Sequence, residues 1–208
     1  MNSLLEFDRG FYSTKIKLIA GVDEAGRGPI AGPVVAAAVI FDKKTFHPDI
    51  NDSKKLSEHA RDKLFEWILE NCISYGIGIV DHLEIDKINI LQASLKAMKT
   101  AVSHLKPKPH LCLIDGNKTF NSNLKTITVV KGDSKSFSIA AASIIAKVTR
   151  DRIMKELSLV HPQYNWGQNK GYPTQSHIKA VKFYGASELH RKTFLTKILN
   201  QEKQEALF

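Results

Sequence analysis

Asp23 and Glu24 stand side by side where the apolar run Lys17–Val22 ends, and Ala25-Gly26-Arg27-Gly28-Pro29 follows at once. Adjacent acids with no basic residue beside them are costly to pack, and hard oxygen donors of this kind suit a divalent cation. Asp115 closes the short apolar run Leu111–Ile114 just before Gly116, and Asp133 follows Gly132 after the run Lys125–Val130. Strands that end on acids beside glycine-containing turns can bring those acids to one place, because open sheets bind ligands beyond the carboxyl ends of their strands. Two unit charges about 4 Å apart repel by ~4 kcal/mol at an effective dielectric near 20, so a converged cluster needs cations or protons. With no His or Cys nearby, the donor set points to Mg²⁺ or Mn²⁺. Two such ions ~3.5–4 Å apart clamp both the attacking and the leaving oxygen of a phosphodiester. Taken singly, each acid also has a plainer reading: Asp before Gly is a common turn, and Asp133 could cap the helix after it. The Asp23-Glu24 pair has no turn or cap explanation, and the combination favours a metal site.

The elements that must position these acids follow from hydrophobic period and punctuation. Lys17–Val22 and Pro33–Phe41 are apolar, partly β-branched runs joined by a Gly/Pro loop, and predict neighbouring strands. Ser57 is an N-cap candidate for a helix over 58–71 with Leu64, Phe65, Ile68 and Leu69 on its apolar face. Ile73–Val80 predicts a third strand. Ile88, Leu91, Leu95, Met98, Val102 and Leu105 keep a 3–4 spacing, so one amphipathic helix is expected there, stopping before Pro107. Strands at 111–114 and 125–130 precede a long alanine-rich helix running from Phe137 to near His161-Pro162, and helical patterns at 174–184 and 193–205 finish the chain. The expected order is β-β-α-β-α-β-α-β-α with extra helices at the end. That is an α/β fold: a mixed sheet flanked by helices, in one domain with a C-terminal helical extension from about 162.

Charge narrows the partner. The 208 residues hold 30 Lys+Arg against 21 Asp+Glu, a net charge of +9, which favours a polyanion because neutralised phosphates release counterions. Part of the excess clusters over 131–155, where Lys131, Lys135, Lys147, Arg150, Arg152 and Lys155 face only Asp133 and Asp151 among the residues named there. Cys72 and Cys112 lie in apolar contexts and read as reduced thiols, and the histidines lack zinc-ligand spacing. No run reaches the ~18 apolar residues of a membrane span, and the start of the chain lacks a signal-peptide pattern. The expectation is a soluble cytoplasmic protein.

Gly26-Arg27-Gly28 is suited to letting a phosphate or sugar approach the backbone, since glycine adopts positive φ at no steric cost. It is not a dinucleotide fingerprint, because Pro29 and Pro33 prevent a helix from following, and Gly116-Asn117-Lys118-Thr119 lacks the order of a P-loop. Alone, this loop is only a tight turn.

Together these segments closely resemble ribonuclease HII, the bacterial type 2 ribonuclease H. The resemblance is carried by Asp23-Glu24-Ala25-Gly26-Arg27-Gly28-Pro29, Asn51-Asp52-Ser53-Lys54-Lys55-Leu56, Ile114-Asp115-Gly116-Asn117 and Lys131-Gly132-Asp133. It continues through the run 138–151, Lys170-Gly171-Tyr172-Pro173-Thr174 and His190-Arg191-Lys192-Thr193-Phe194, in the family's order across 18–194. The Gly-Arg-Gly form is that of type HII rather than HIII.

The resemblance implies a ribonuclease H-like five-stranded mixed sheet. It implies Asp23, Glu24, Asp115 and Asp133 as the metal-binding and catalytic acids, with Asp151 a fifth, supporting one. The implied activity is cleavage of the RNA strand of RNA/DNA hybrids and cutting 5′ to single ribonucleotides in duplex DNA, leaving 3′-hydroxyl and 5′-phosphate ends. Gly26, Arg27 and Gly28 would sense the 2′-hydroxyl, and Tyr172 would pack against the next deoxyribose. Lys54, Lys55, Arg191 and Lys192 would hold phosphates. A monomer is expected. The end of the chain, Gln204-Glu205-Ala206-Leu207-Phe208, partly resembles peptides that dock on the bacterial sliding clamp. A junction-resolvase-type nuclease and a non-catalytic nucleic-acid-binding module are the alternatives. Chelator sensitivity separates the latter, and the Gly-Arg-Gly and Gly-Tyr-Pro-Thr segments argue against the former.

Overall fold

The computed structural model describes residues 3–196. Its sheet runs β3-β2-β1-β4-β5, with β1 at Ile19–Ala25, β2 at Val34–Ile40, β3 at Ser74–Val80, β4 at Leu111–Asp115 and β5 at Thr126–Val129. β2 runs antiparallel to both its neighbours, β1 and β3, while β4 and β5 lie parallel to β1. The helices are α1 (Ser3–Arg9), α2 (Glu58–Asn71), α3 (His82–Ile88), α4 (Ile90–Ser103), α5 (Phe137–Val160), α6 (Trp166–Asn169) and α7 (Gln175–Tyr184).

Both faces of the sheet are covered, which is why β2 is buried along its whole length and reads as an unbroken apolar run. Ala37 and Val39 face a core built with α2 and α5, and Ala36, Ala38 and Ile40 face one built with α4. Small residues let the long helix settle close. A Cβ at Gly21 would fall 2.0 Å from the Ser138 carbonyl carbon, so α5 rests directly on β1 at that point. Asp8 of α1 ties the start of α5, its Oδ2 accepting from the Ser138 N–H at 2.8 Å and from its hydroxyl at 2.7 Å.

Ser57 caps α2 as expected, accepting from the Ala60 N–H at 3.2 Å. Three expectations need correction. The helix foreseen from Ile88 to Leu105 is α4, but it starts only at Ile90: Ile88 ends α3, and the chain turns at Asn89, whose φ of 68° is one that asparagine tolerates and whose side chain caps α4 through the Gln92 N–H. No helix separates β4 from β5; residues 116–125 form a loop. α1 and α3 were not foreseen, both being only seven residues long. The final pattern, 193–205, lies largely outside the described residues.

The segment after α5 packs Ile30, Ala31, Met154, Tyr164 and Trp166 into a separate small core. Two neutral imidazoles sit in it. His177 Nδ1 lies 2.8 Å from the Tyr172 carbonyl and must donate there, leaving Nε2 to accept from Trp166 Nε1 at 2.9 Å and from His190 Nε2 at 3.1 Å. Burial first, and then neighbouring His177, push His190 down to about 4, while the unfolded chain protonates near 6.5. Below 6.5 the unfolded state therefore binds the proton first, and folding stability is lost as pH falls from 6.5 towards 4. The expected loss is about 2–3 kcal/mol, seen as a lower urea midpoint at pH 4.5 than at pH 7. His190→Gln should flatten that slope relative to the native chain; an unchanged slope contradicts the assignment.

Candidate active site

Asp23 does not lie past its strand but within it, opposite Ala37 of β2. The parallel register pairs Val22 with Ile114, so the next residue on each strand, Asp23 and Asp115, lie beside one another. Strand alternation puts Asp23 on the face that carries α5, with Gly21, and turns Glu24 to the α4 face with Val22. Asp133 comes from the 3₁₀ turn Gly132–Ser134 after β5, entered through Lys131 in the left-handed region at φ 56°. That turn is pinned to β4: the Gly132 N–H donates to Asp115 Oδ1 at 2.6 Å.

A pocket of about 320 Å³ opens here. Asp23, Glu24 and Asp115 line it; Gly26, Arg27, Gly28 and Tyr172 form one side, and Ser53, Lys54, Ser143 and Lys147 complete it. Asp133 stands at its edge, with Lys54 Nζ 3.4 Å from its Oδ2. Burial raises the carboxyl of Asp23 well above the usual carboxylate range, and the charges of Glu24, Asp115 and Asp133 push it further. Glu24 and Asp115 are raised as well, again chiefly by burial. These acids are electrostatically one group.

Two of the acids have a cationic partner, Asp133 in Lys54 and Glu24 in Arg27. Arg27 Nη1 meets Glu24 Oε1 at 3.0 Å, so the pair does have a basic partner, one turn further along the loop. Glu24 Oε2, by contrast, is buried without a hydrogen-bond partner. As they stand, no three His, Cys, Asp or Glu side chains among the described residues are gathered tightly enough to grip an ion. An ion would meet Glu24 through Oε2, the oxygen that Arg27 leaves free, whereas on Asp133 it would compete with Lys54 for Oδ2. The donor chemistry fits a hard divalent cation: all-oxygen donors, a buried unpartnered carboxylate oxygen, and protonation equilibria already strained by like charge.

Comparison with known proteins decides the family. The ribonuclease HII family model matches residues 20–197. The chain is 56% identical to the ribonuclease HII of Caldanaerobacter subterraneus subsp. tengcongensis over 93% of its length and 80% of that protein's. The chain belongs to the ribonuclease HII family. Its fold superposes on the ribonuclease H2 of Pyrococcus horikoshii with a TM-score of 0.71 at 30% identity, covering 88% of this chain and 98% of that one. It also matches the ribonuclease HII of Archaeoglobus fulgidus, solved in complex with PCNA, at 0.66 and 25% identity over 84% and 94% of the two chains. The protein is therefore a type 2 ribonuclease H, an endonuclease with the ribonuclease H-like fold.

Not every residue expected at the ribonuclease HII site reaches it. Lys55 lines a different depression with Phe46 and Pro48, and Lys192 is exposed and absent from the pocket lining. Arg191 corrects the expectation of a phosphate contact: it is fully buried, and its guanidinium is spent on backbone carbonyls. Asp151 is also buried and outside the pocket lining. It accepts from Lys147 Nζ at 2.7 Å and lies 3.9 Å from Arg61. Arg61 in turn donates to the carbonyls of Ser53 and Leu56, so Asp151 braces the turn that carries Lys54. Lys147 and Ser143 were missed. Their signal was present as i, i+4 spacing with Asp151 on one face of a helix, hidden by the alanine-rich pattern around them.

Proposed function

We propose that this enzyme cuts the RNA strand of RNA/DNA hybrids and cuts 5′ to single ribonucleotides embedded in duplex DNA, leaving 3′-hydroxyl and 5′-phosphate ends. One observation carries the proposal: a shared acidic pocket adjoins a glycine wall and the half-exposed ring of Tyr172, so catalytic and sugar-reading groups meet on one substrate. Asp23, Glu24, Asp115 and Asp133 would hold Mg²⁺ or Mn²⁺, two ions during catalysis. When bound, such ions supply charge to the scissile phosphate and make water a competent nucleophile near neutral pH. The protein groups do the rest. The raised carboxyls release protons as they take up positive charge, and Glu24 gives its unpartnered oxygen to that task. Lys54 and Lys147 lie where they can hold flanking phosphates and fix the strand's position. The backbone at Gly26–Gly28 comes close enough to test for a 2′-hydroxyl, and Tyr172 packs where the following sugar must lack one.

We place the enzyme in the cytoplasm as a monomer, one catalytic domain with its helical extension from about 162, removing ribonucleotides from DNA. No helix among the described residues is long and apolar enough to cross a membrane. The PCNA complex of the Archaeoglobus relative supports a further partner, a sliding clamp. The segment we assign to it, Gln204–Phe208, lies outside the described residues. Deleting those five residues should abolish clamp binding without changing cleavage; unaltered binding removes the assignment.

The test of the activity is a set of matched duplexes carrying zero, one or four ribonucleotides, with Mg²⁺ or Mn²⁺ and with a chelator. Expected is no cut without ribonucleotides, one cut 5′ to the lone ribonucleotide, and silence with chelator. Cleavage of the all-DNA duplex, or none at a single ribonucleotide, would overturn it.

A further inference from the structure

Arg150 and Arg191 are among the largest fully buried side chains of the protein, 1% and 0% exposed. Neither has a carboxylate within ion-pair distance among the described residues; Asp151 and Asp86 act on them only from further away. Asp86 is already engaged by the backbone of Lys192 and Thr193. Both guanidinium groups bond instead to carbonyl oxygens. Arg150 donates to Pro33 at 3.0 Å, Lys170 at 2.8 Å and Ala31 at 3.2 Å. Arg191 donates to Gly32 at 3.0 Å, Arg27 at 3.3 Å, Gly26 at 2.7 Å and, sharing an acceptor with Arg150, Pro33 at 3.1 Å.

Those carbonyls belong to two loops, 26–33 and the stretch leading into Tyr172, which are the sugar-reading walls of the pocket. Gly26 has φ +101°, and a Cβ there would fall 2.2 Å from Arg150 Nε, so the loop lies directly against the guanidinium. The Arg150 guanidinium carbon is also 5.9 Å from the Tyr172 ring centroid. We infer that Arg150 and Arg191 are positioning residues that set substrate specificity: a buried two-cation clamp that fixes both sugar-reading loops against each other and places positive potential behind them. Burying a cation is far more costly than burying a neutral amide, and a neutral donor would suffice to cap loop carbonyls. Two such charges, with carbonyl dipoles in contact and carboxylates only at a distance, gain a closer counter-charge when a polyanion lies across the wall they support. Burial lowers both groups, Arg150 to about 10 and Arg191, beside Arg150, to about 9, so both remain cationic at neutral pH.

The inference rests on the sugar-reading role proposed above, and the test keeps the two apart. Arg191→Lys retains the charge but loses the planar fork that reaches several carbonyls. Arg191→Met loses both. Steady-state kinetics on duplexes with one and four ribonucleotides are measured for each, with thermal melting as the folding control. For the Lys variant we expect kcat on the single-ribonucleotide duplex to fall ~10–100-fold, with KM nearly unchanged and a smaller loss on four ribonucleotides. The Met variant should in addition raise KM on both substrates. Folded variants that keep the native ratio between substrates and the native KM overturn the clamp. A native enzyme that ignores single ribonucleotides sinks the sugar-reading proposal instead, a result visible before any variant is made. Should the Arg191 variants not fold, Arg150→Lys takes the same assay. ¹⁵N NMR of the native enzyme's arginine side chains needs no variant: slow Nη–H exchange for Arg150 and Arg191 at pH 8 supports the clamp, and fast exchange rejects it.

Discussion

Asp115→Asn should lower kcat by at least ~10³-fold while leaving duplex affinity within about threefold, and it should also raise the thermal stability of the metal-free enzyme. The first effect follows from position. Asp115 lies beside Asp23 through the β1–β4 register and is linked to the Asp133 turn by its bond to Gly132, so it touches both halves of the acidic group. An amide there keeps the oxygen that accepts from the Gly132 N–H, so the local fold survives, but it cannot supply the negative charge that holds a cation. The second effect has the opposite sign because clustered buried carboxylates are a burden to the fold. Burial first, and Asp133 among the charges, raise the Asp115 carboxyl above its unfolded value. A group raised in this way stabilises the folded state only while protonated, and that contribution is lost as pH rises through the folded pKa. At neutral pH the ionised side chain is therefore unfavourable, and replacing it with a neutral isostere should raise the melting temperature of the metal-free enzyme. Melting curves in chelator, a binding assay and single-turnover cleavage read all three quantities. Retained turnover would remove Asp115 from the catalytic group, and a lower melting temperature would contradict the electrostatic account.

The parts of this site that could be read from the sequence are those fixed by local pattern. Apolar runs that stop on an acid gave Asp23, Asp115 and Asp133, because strand length and turn chemistry are written in consecutive residues. The mixed sheet followed from the same runs, and Ser57 announced α2. What could not be read depends on distant packing. Nothing local distinguishes Arg191, buried on the carbonyls of a loop some 160 positions away, from a surface arginine that binds phosphate. Both have the same side chain in a polar C-terminal stretch. The Glu24–Arg27 contact was closer in sequence, but it needed the turn at Gly26 to bring the two together. Asn89 shows the reverse case. The 3–4 spacing reaches back through Leu91 to Ile88, so the pattern starts the helix too early, and only the positive φ of Asn89 and its bond to the Gln92 N–H mark where α4 begins.

Tyr172→Ala should cut kcat/KM on single-ribonucleotide duplexes ~10–100-fold, the worth of one aromatic contact, but reduce cleavage of long hybrids only about threefold. The backbone that presents the ring is held independently of it: the Tyr172 N–H donates to the Asn169 carbonyl at 2.9 Å, and the Tyr172 carbonyl accepts from His177 and from the Thr174 N–H. With the ring 40% exposed, its removal leaves little cavity, so stability should change by less than about 1 kcal/mol. The expected selectivity follows from its neighbour in the pocket. A Cβ on Gly28 would touch the ring at 3.5 Å, so ring and glycine wall form one continuous surface on which successive sugars of one strand would lie side by side. A lone ribonucleotide offers one 2′-hydroxyl, and cutting beside it requires both that group and the deoxyribose after it to be recognised together. A hybrid offers a 2′-hydroxyl at every register, so a lost sugar contact is replaced by sliding to the next site. Tyr172→Phe keeps the ring and should cleave both substrates at near-native rates. If the alanine variant loses equally on single ribonucleotides and long hybrids, the ring contributes to general binding and the junction is read elsewhere.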